Sequence, residues 1–427
     1  MAPGWVPAIG HSAALMSDLP WVCREADKLG PLFWLQMGPG NWTIASVREE
    51  AFAVFRNKET SSAHLARDAT VLVGRSVLGV DGDEHRRMRG AINAPFTPKG
   101  LSAHRAGALM AEVIVPRVAE WKHQREVAVC DETREFAVDV IFRMMGIEPH
   151  ALVQWRKAFE EYSLALLPVQ WDFPKSPYRR GSIAKQWIDE RLALIAERER
   201  GKDPDSSLVA AMVNGKDEHG RGLDARELLD NLRILVFAGH ETTASTMAWA
   251  MLYLAKHPRH WDRLVDEALA ADGPPTSPEA LAKFSFAEGV FREALRLHPP
   301  VSLDSRMTEQ PWSLFGREFE KGQVVACILH AMSRNAERYP EPDSFVPERW
   351  LGREKKPSPI ETAQFGGGPH FCLGYHVAWL EGVLFLAAVA REFGQRNKRP
   401  TIVGDQMPKP VYLPLQRPPS AARVRFE

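Results

Sequence analysis

Apolar residues recur at helical spacing along most of this chain, and a few stretches break the rhythm. The first break lies at 32–46, where two apolar runs, Leu32 to Met37 and Trp42 to Ser46, flank Gly38-Pro39-Gly40-Asn41. That pattern predicts a β-hairpin. Helical periodicity then runs from Val47 to Arg56, and residues 60–80 are unpatterned and read as a loop. A basic helix opens at Gly82-Asp83-Glu84-His85-Arg86-Arg87-Met88-Arg89 and ends before Pro95-Phe96. Further helices are predicted from Ala106 to Glu120 (kinked at Pro116), from Thr133 to Met145 and from Leu152 to Leu167. Leu167-Pro168-Val169-Gln170-Trp171-Asp172-Phe173-Pro174 interrupts them, and an amphipathic helix follows from Ser182 to Glu199.

The longest predicted element begins at Asp224-Ala225-Arg226-Glu227, which has the spacing of a capping box. It runs to Lys256, before His257-Pro258, a length of roughly 50 Å at 1.5 Å per residue. Apolar residues lie nearly all round it, so it is expected to be a buried central helix. Ala238-Gly239-His240-Glu241-Thr242-Thr243 stands in its middle, an unfavourable choice for a helix interior. A kink, with Thr242 bonding back to a carbonyl one turn earlier, accounts for such a hexad without any chemistry.

Later segments carry a helix around Phe291-Arg292-Glu293-Ala294-Leu295-Arg296, stopped by Pro299-Pro300, and a small β unit over Trp312 to Phe315 and Gln323 to Cys327. A last long helix reaches Phe393, and short runs around prolines in the 400s read as edge strands. No repeat, low-complexity linker or second domain is visible, so 1–427 is taken as one domain.

Composition narrows the function. With 54 basic and 54 acidic residues the chain has no net charge, which argues against a nucleic-acid partner or an anionic membrane surface. Four scattered cysteines, Cys23, Cys130, Cys327 and Cys372, argue against a disulfide framework and fit a reducing compartment. No run approaches the ~18 apolar residues of a membrane span. The start, Met1-Ala2-Pro3-Gly4-Trp5, has no signal-peptide pattern, so a cytoplasmic location without an anchor is expected.

The chemistry concentrates at Phe365-Gly366-Gly367-Gly368-Pro369-His370-Phe371-Cys372-Leu373-Gly374, which runs into the last long helix. Glycines let backbone approach a large planar object closely. A cysteine at a helix mouth has its thiolate favoured by unpaired N–H groups and the helix dipole. A lone cysteine is more often an inert buried hydrophobe. Here F-G-x-G-x-H-x-C-x-G is met at every position, and the stretch resembles the cysteine loop of the cytochrome P450 family.

The resemblance implies a mostly α fold, a triangular helical domain with a minor β region, holding haem b (iron protoporphyrin IX). It implies that Cys372 is the axial thiolate, with Phe365, Gly366 and Gly374 around it. His85 and Arg89 share a helix face at i, i+4, which alone reads as a solvated basic face; the resemblance makes them partners of a haem propionate, as it does Arg306 and His370. Ala238 and Gly239 would run over the other haem face and leave room for dioxygen, while Glu241 and Thr242 carry protons. Glu293, Arg296 and Arg349 would form a buried charged triad bracing the cysteine loop.

The activity implied is monooxygenation with O2 as co-substrate. Electrons would come from NAD(P)H through a separate ferredoxin and ferredoxin reductase, or a flavodoxin, because no flavin or iron–sulfur domain is visible. Arg117, Lys122 and Arg125 are candidates to dock the ferredoxin. A peroxide-driven peroxygenase and a non-catalytic haem sensor stay open, although the Glu241-Thr242 pair favours dioxygen. The substrate would be a hydrophobic small molecule, of terpenoid, steroid, fatty acid or macrolide type. Its walls would come from Leu235, Ala238, Val301, Leu303, Asp304, Tyr412 and Leu413, the 60–80 loop and a lid at 160–175. The N-terminal prolines resemble the hinge that follows the anchor in membrane-bound relatives, and a monomer is expected.

Overall fold

A computed structural model describes the chain except residues 1–4, 7–9, 37–41, 58, 63–73, 165–170, 353–356, 359 and 413–414, and the side chains of Met16, Cys23 and Asp27. The central helix runs from Ala225 to Lys256. Its capping box is formed: Asp224 Oδ1 accepts from the Glu227 N–H at 2.8 Å, and Glu227 Oε2 accepts from the Asp224 N–H at 3.0 Å. It packs against Val129–Met144, Ser285–Leu297 and Tyr375–Gly394. The main apolar core, including Trp249, Phe385 and Phe142, fills the space between them. The segment Gly368–Gly394 is long and apolar enough to cross a membrane, but 61% of its apolar window is buried, as befits a core helix.

Two smaller clusters lie under the sheet region. A five-stranded sheet has the order β1-β2-β7-β4-β3, with strands Phe33–Gln36, Trp42–Ser46, Thr60–Ser61 (β3), Asp304–Thr308 (β4) and Val324–Cys327 (β7). The predicted hairpin is present, Phe33 to Gln36 pairing antiparallel with Trp42 to Ala45; its Gly-Pro-Gly-Asn turn lies outside the described residues. The strand at Trp312–Leu314 pairs with Arg317–Phe319 (β5 and β6) and not with β7. Phe315 and Gly316 between them both have positive φ, the conformation a tight two-residue hairpin needs.

Several boundaries differ from the periodicity. The segment after the hairpin is a 3-10 helix, Glu49–Phe55, with Ala51 above Val54 and Phe52 above Phe55 on its buried side. Apolar pairs three apart line up in a three-residue turn, which explains why they suit this geometry. The helix predicted from Thr133 starts at Val129, with Asp131 and Glu132 in its first turn where the dipole favours them. The one predicted from Ser182 starts at Pro177, because the Ser176 hydroxyl accepts from the Arg179 N–H at 3.1 Å. Pro116 sits inside Ala106–Glu120 without ending it. The helix from Leu152 ends at Ser163, and residues 165–170 of the expected lid and 63–73 of the 60–80 loop lie outside the described residues.

Candidate active site

The cysteine loop is built from two short 3-10 turns, Ala363–Phe365 and Gly368–His370, ahead of the helix Tyr375–Gly394. The Cys372 N–H donates to Phe365 O at 2.8 Å, closing the loop on itself. Its glycines are required by the protein. Gly368 has φ +62, and a Cβ there would fall 2.0 Å from Phe55 O; one at Gly367 would fall 2.8 Å from the Phe52 ring. The expectation that all three glycines clear space for a planar ligand is thus corrected. Two of them let the loop seat on the 3-10 helix Glu49–Phe55. A chain of bonds holds the other side, since Gln364 Nε2 donates to Ser333 Oγ at 2.8 Å and Arg296 Nη1 to Ser333 O at 2.8 Å.

Cys372 lies deep in the molecule yet keeps some accessible surface, as a residue lining an internal space does. Burial pushes its thiol upward, while the Gly374 N–H and the Arg89 guanidinium pull the other way. Arg89 Nη1 donates to Phe371 O at 2.8 Å, so the basic helix (Gly82–Ile92) is tied directly to the loop.

His85, on the same helix, is 3% exposed and its Nε2 has no partner among the described residues. Its ring lies 4.0 Å from that of His370. Burial, then His370 and Arg89, push the His85 pKa down to about 4, and Arg306 adds to that. Asp81 opposes them. His370 Nε2 meets Asp81 Oδ1 at 2.8 Å, and Ser61 Oγ donates to Asp81 at 2.7 Å. Arg306, 4% exposed on β4, stacks over Phe55 at 4.5 Å and donates to Asp304 at 3.1 Å. Asp304, expected on the substrate side, is occupied by Arg306 and by the Ser305 N–H at 2.7 Å.

The hexad on the central helix has a clear spatial signature. Ala238 is exposed midway along a helix that is buried on both sides of it, and Leu235, Gly239, Glu241 and Thr242 are half-buried. Leu235, Ala238, Gly239 and Thr242 share one face by the i, i+3, i+4, i+7 rule, so this stripe borders an open internal space. Thr242 Oγ1 donates back to Ala238 O at 2.9 Å, the expected local bond. Gly239 has a packing reason as well, because a Cβ there would lie 2.7 Å from Ile141 Cδ1. Glu241 turns to the neighbouring helix, where Arg134 Nε (2.8 Å) and Nη2 (2.5 Å) both donate to its Oε1. Burial alone would raise its pKa, but His240 and Arg134 outweigh burial and hold it at about 2.

Other expected positions are placed as follows. Tyr412 is buried in the N-terminal cluster with Leu303 against it, and Val301 packs on the cluster under the 3-10 helix. Glu293 is fully buried and accepts from Arg296 Nη2 at 2.8 Å, Arg349 Nε at 2.9 Å and Trp350 Nε1 at 2.8 Å. Arg117 is a poor docking charge, because Glu132, Glu135 and Asp139 surround it and it lies over Phe136; Lys122 and Arg125 are exposed. Arg134 and Asp81 were not found from sequence. Neither belongs to a recognisable motif, and Arg134 is 107 positions from Glu241.

These residues fit a haem. The orphaned buried Nε2 of His85 needs a polar partner, and two arginines and a second histidine gather nearby, as carboxylate side groups require. A deep, partly accessible thiol and an exposed alanine on an otherwise buried helix fit a ligand that takes a sulfur and leaves room for small molecules.

Comparison with known proteins agrees. A family model for Cytochrome P450 matches residues 2–420. The Cytochrome P450 BJ-4 homolog of Sinorhizobium fredii is 36% identical over 425 residues, covering 99% of this chain and 95% of the relative. Cyclooctat-9-en-7-ol 5-monooxygenase of Streptomyces melanosporofaciens is 29% identical, covering 92% and 89%. Among solved structures, the retinoic acid bound cyanobacterial CYP120A1 superposes with a TM-score of 0.84 at 24% identity, covering 99% of this chain and 97% of that one.

Proposed function

The chain belongs to the cytochrome P450 family, and from that premise we propose that it inserts one oxygen atom from O2 into a hydrophobic small molecule, with electrons delivered by a separate ferredoxin or flavodoxin system. Membership implies a haem-dependent oxidoreductase of the monooxygenase type. The haem, when bound, supplies the oxygen-activating chemistry, and the protein supplies binding, orientation and protons.

Cys372 would hold the haem iron through its sulfur. The Gly374 N–H at its sulfur tunes the charge that the sulfur carries, as hydrogen bonds to a ligating thiolate do. His85, Arg89, Arg306 and His370 are assigned to the carboxylate side groups, with Asp81 and Asp304 holding His370 and Arg306 in place. Phe365 closes one side of the thiolate loop through its carbonyl. Thr242 donates its one hydroxyl hydrogen to Ala238 O, so its lone pairs are left to accept a proton, and its own hydrogen moves onward when that local bond breaks. Glu241 is the acid that feeds it.

The observation that carries this reading is the convergence of Cys372, Arg89 and the unpartnered His85 at one loop. For the substrate, the relative named for cyclooctat-9-en-7-ol favours an unsaturated cyclic alcohol or terpenoid over the other classes. Leu235 and Ala238 on the open stripe, with the half-buried Val301 and Leu303, are assigned to its walls, whereas Tyr412 is committed to the N-terminal cluster.

The test is an optical titration of ferric holoprotein with cyclooctat-9-en-7-ol, a sesquiterpenoid, a steroid, a fatty acid and a macrolide. A saturable shift to high spin with one class, followed by product formation with a ferredoxin pair, supports the proposal. Robust turnover with hydrogen peroxide and none with ferredoxin would replace it by a peroxygenase.

A further inference from the structure

On the proton-carrying role assigned to Glu241 and Thr242, we propose that His240 is the proton reservoir of Glu241, and that protonation by His240 releases the acid from Arg134. Three contacts fix the tautomer and the geometry. His240 Nδ1 lies 2.7 Å from Val236 O. A carbonyl can only accept, so Nδ1 carries a hydrogen in every state of the ring. The other nitrogen, Nε2, lies 3.6 Å from Glu241 Oε1. In neutral His240 that nitrogen would turn a lone pair toward a carboxylate, and the repulsion is relieved when the pair holds one more proton, on Nε2 or on Oε1.

Arg134 determines what the proton does. Both of its donors, Nε and Nη2, go to Oε1, leaving Oε2 outside the fork. A guanidinium holds a carboxylate by charge–charge attraction as well as by hydrogen bonds, and a neutral acid loses the first of these. When the N–H bond at His240 Nε2 breaks and an O–H bond forms at Oε1, both the imidazolium and the carboxylate lose their charges. Arg134 then grips a neutral acid, and the carboxyl can rotate toward the Thr242 hydroxyl one residue on. His240, 15% exposed in its side chain, recovers its proton from solvent. The other charged or titratable groups around this cluster are Asp131 and Cys130 on the Arg134 helix and Arg417 beside Cys130. His240 acts through Glu241 and is therefore a positioning residue, distinct from the Thr242 end of the path.

The decisive experiment is nitrogen NMR of 15N-histidine-labelled, haem-loaded protein in its diamagnetic ferrous carbon monoxide form. One imidazole, absent in His240→Phe, is expected to carry protons on both nitrogens in the wild type and to lose the Nε2 proton in Glu241→Gln at the same pH. A single proton in the wild type, or no response to Glu241→Gln, overturns the proposal. Product per electron consumed gives the second arm, using the panel compound that shifts the spin state. His240→Phe is expected to lower it about ten-fold, with unchanged haem content, and to add nothing to Glu241→Gln. If Glu241→Gln and Thr242→Ala lose coupling while His240→Phe does not, the reservoir fails and the proton path stands. If neither loses coupling, the proton path itself is wrong.

Discussion

Glu381 shows how much a single side chain can commit to its surroundings. It is 1% exposed in the helix after the cysteine, Oε1 has no partner among the described residues, and burial pushes its carboxyl up to about 8. Glutamate in the unfolded chain titrates near 4.3. Between those values the folded protein keeps a proton that the unfolded chain has released, so stability falls as pH rises through the window. The slope is at most about 1.4 kcal/mol per pH unit. Glu381→Gln is expected to remove that slope and to be more stable than the wild type at pH 8. Thermal unfolding from pH 5 to 9 checks it, and parallel slopes would contradict it. Thr242→Ala tests the other end of the residue scale: electron consumption should persist while product per electron falls about ten-fold or more and hydrogen peroxide accumulates. Cys372 was legible in sequence through its loop motif, and His85 and Arg89 only through the family resemblance, since their i, i+4 spacing alone reads as a solvated basic face. Arg134 and Asp81 were not, because the fold brings them in from other elements and the sequence near them carries no sign of their partners.

At the scale of elements, two glycines separate what a loop needs from what a helix tolerates. Gly368→Ala would force a methyl into Phe55 O at a positive φ, and backbone cannot yield as a side chain can. The expected result is a protein that folds but incorporates far less haem, read as haem absorbance per unit protein. Gly239→Ala meets only the end of Ile141, a flexible group, so it should cost about 1 kcal/mol or less while lowering haem content little. Equal losses in the two variants would contradict this view of the loop. The cysteine helix, the capping box of the central helix and the hairpin were legible because their signals are local. The 3-10 segment and the early starts at Val129 and Pro177 were missed because packing and a serine cap set them, and a periodicity count weighs neither.

Across the whole molecule, Glu293 is the joint between the helix Ser285–Leu297 and the chain that leads to the cysteine loop. Its carboxylate takes Arg296, Arg349, Trp350 and the Val346 N–H at 3.1 Å, all away from water. Removing one partner of a buried ion cluster costs roughly 3–5 kcal/mol. Glu293→Gln is therefore expected to lower stability by that order in denaturant unfolding and to reduce haem retention with it. The topology could be inferred from resemblance, while periodicity by itself yields only many helices and a few strands, since the order β1-β2-β7-β4-β3 joins strands nearly 300 positions apart. The central claim is that Cys372 ligates a haem, and the carbon monoxide difference spectrum of the reduced protein tests it most directly. The wild type should show the red-shifted Soret band of a thiolate-bound haem, and Cys372→Ser should lose it. A wild-type spectrum without that band, or a serine variant that keeps it, would contradict the assignment.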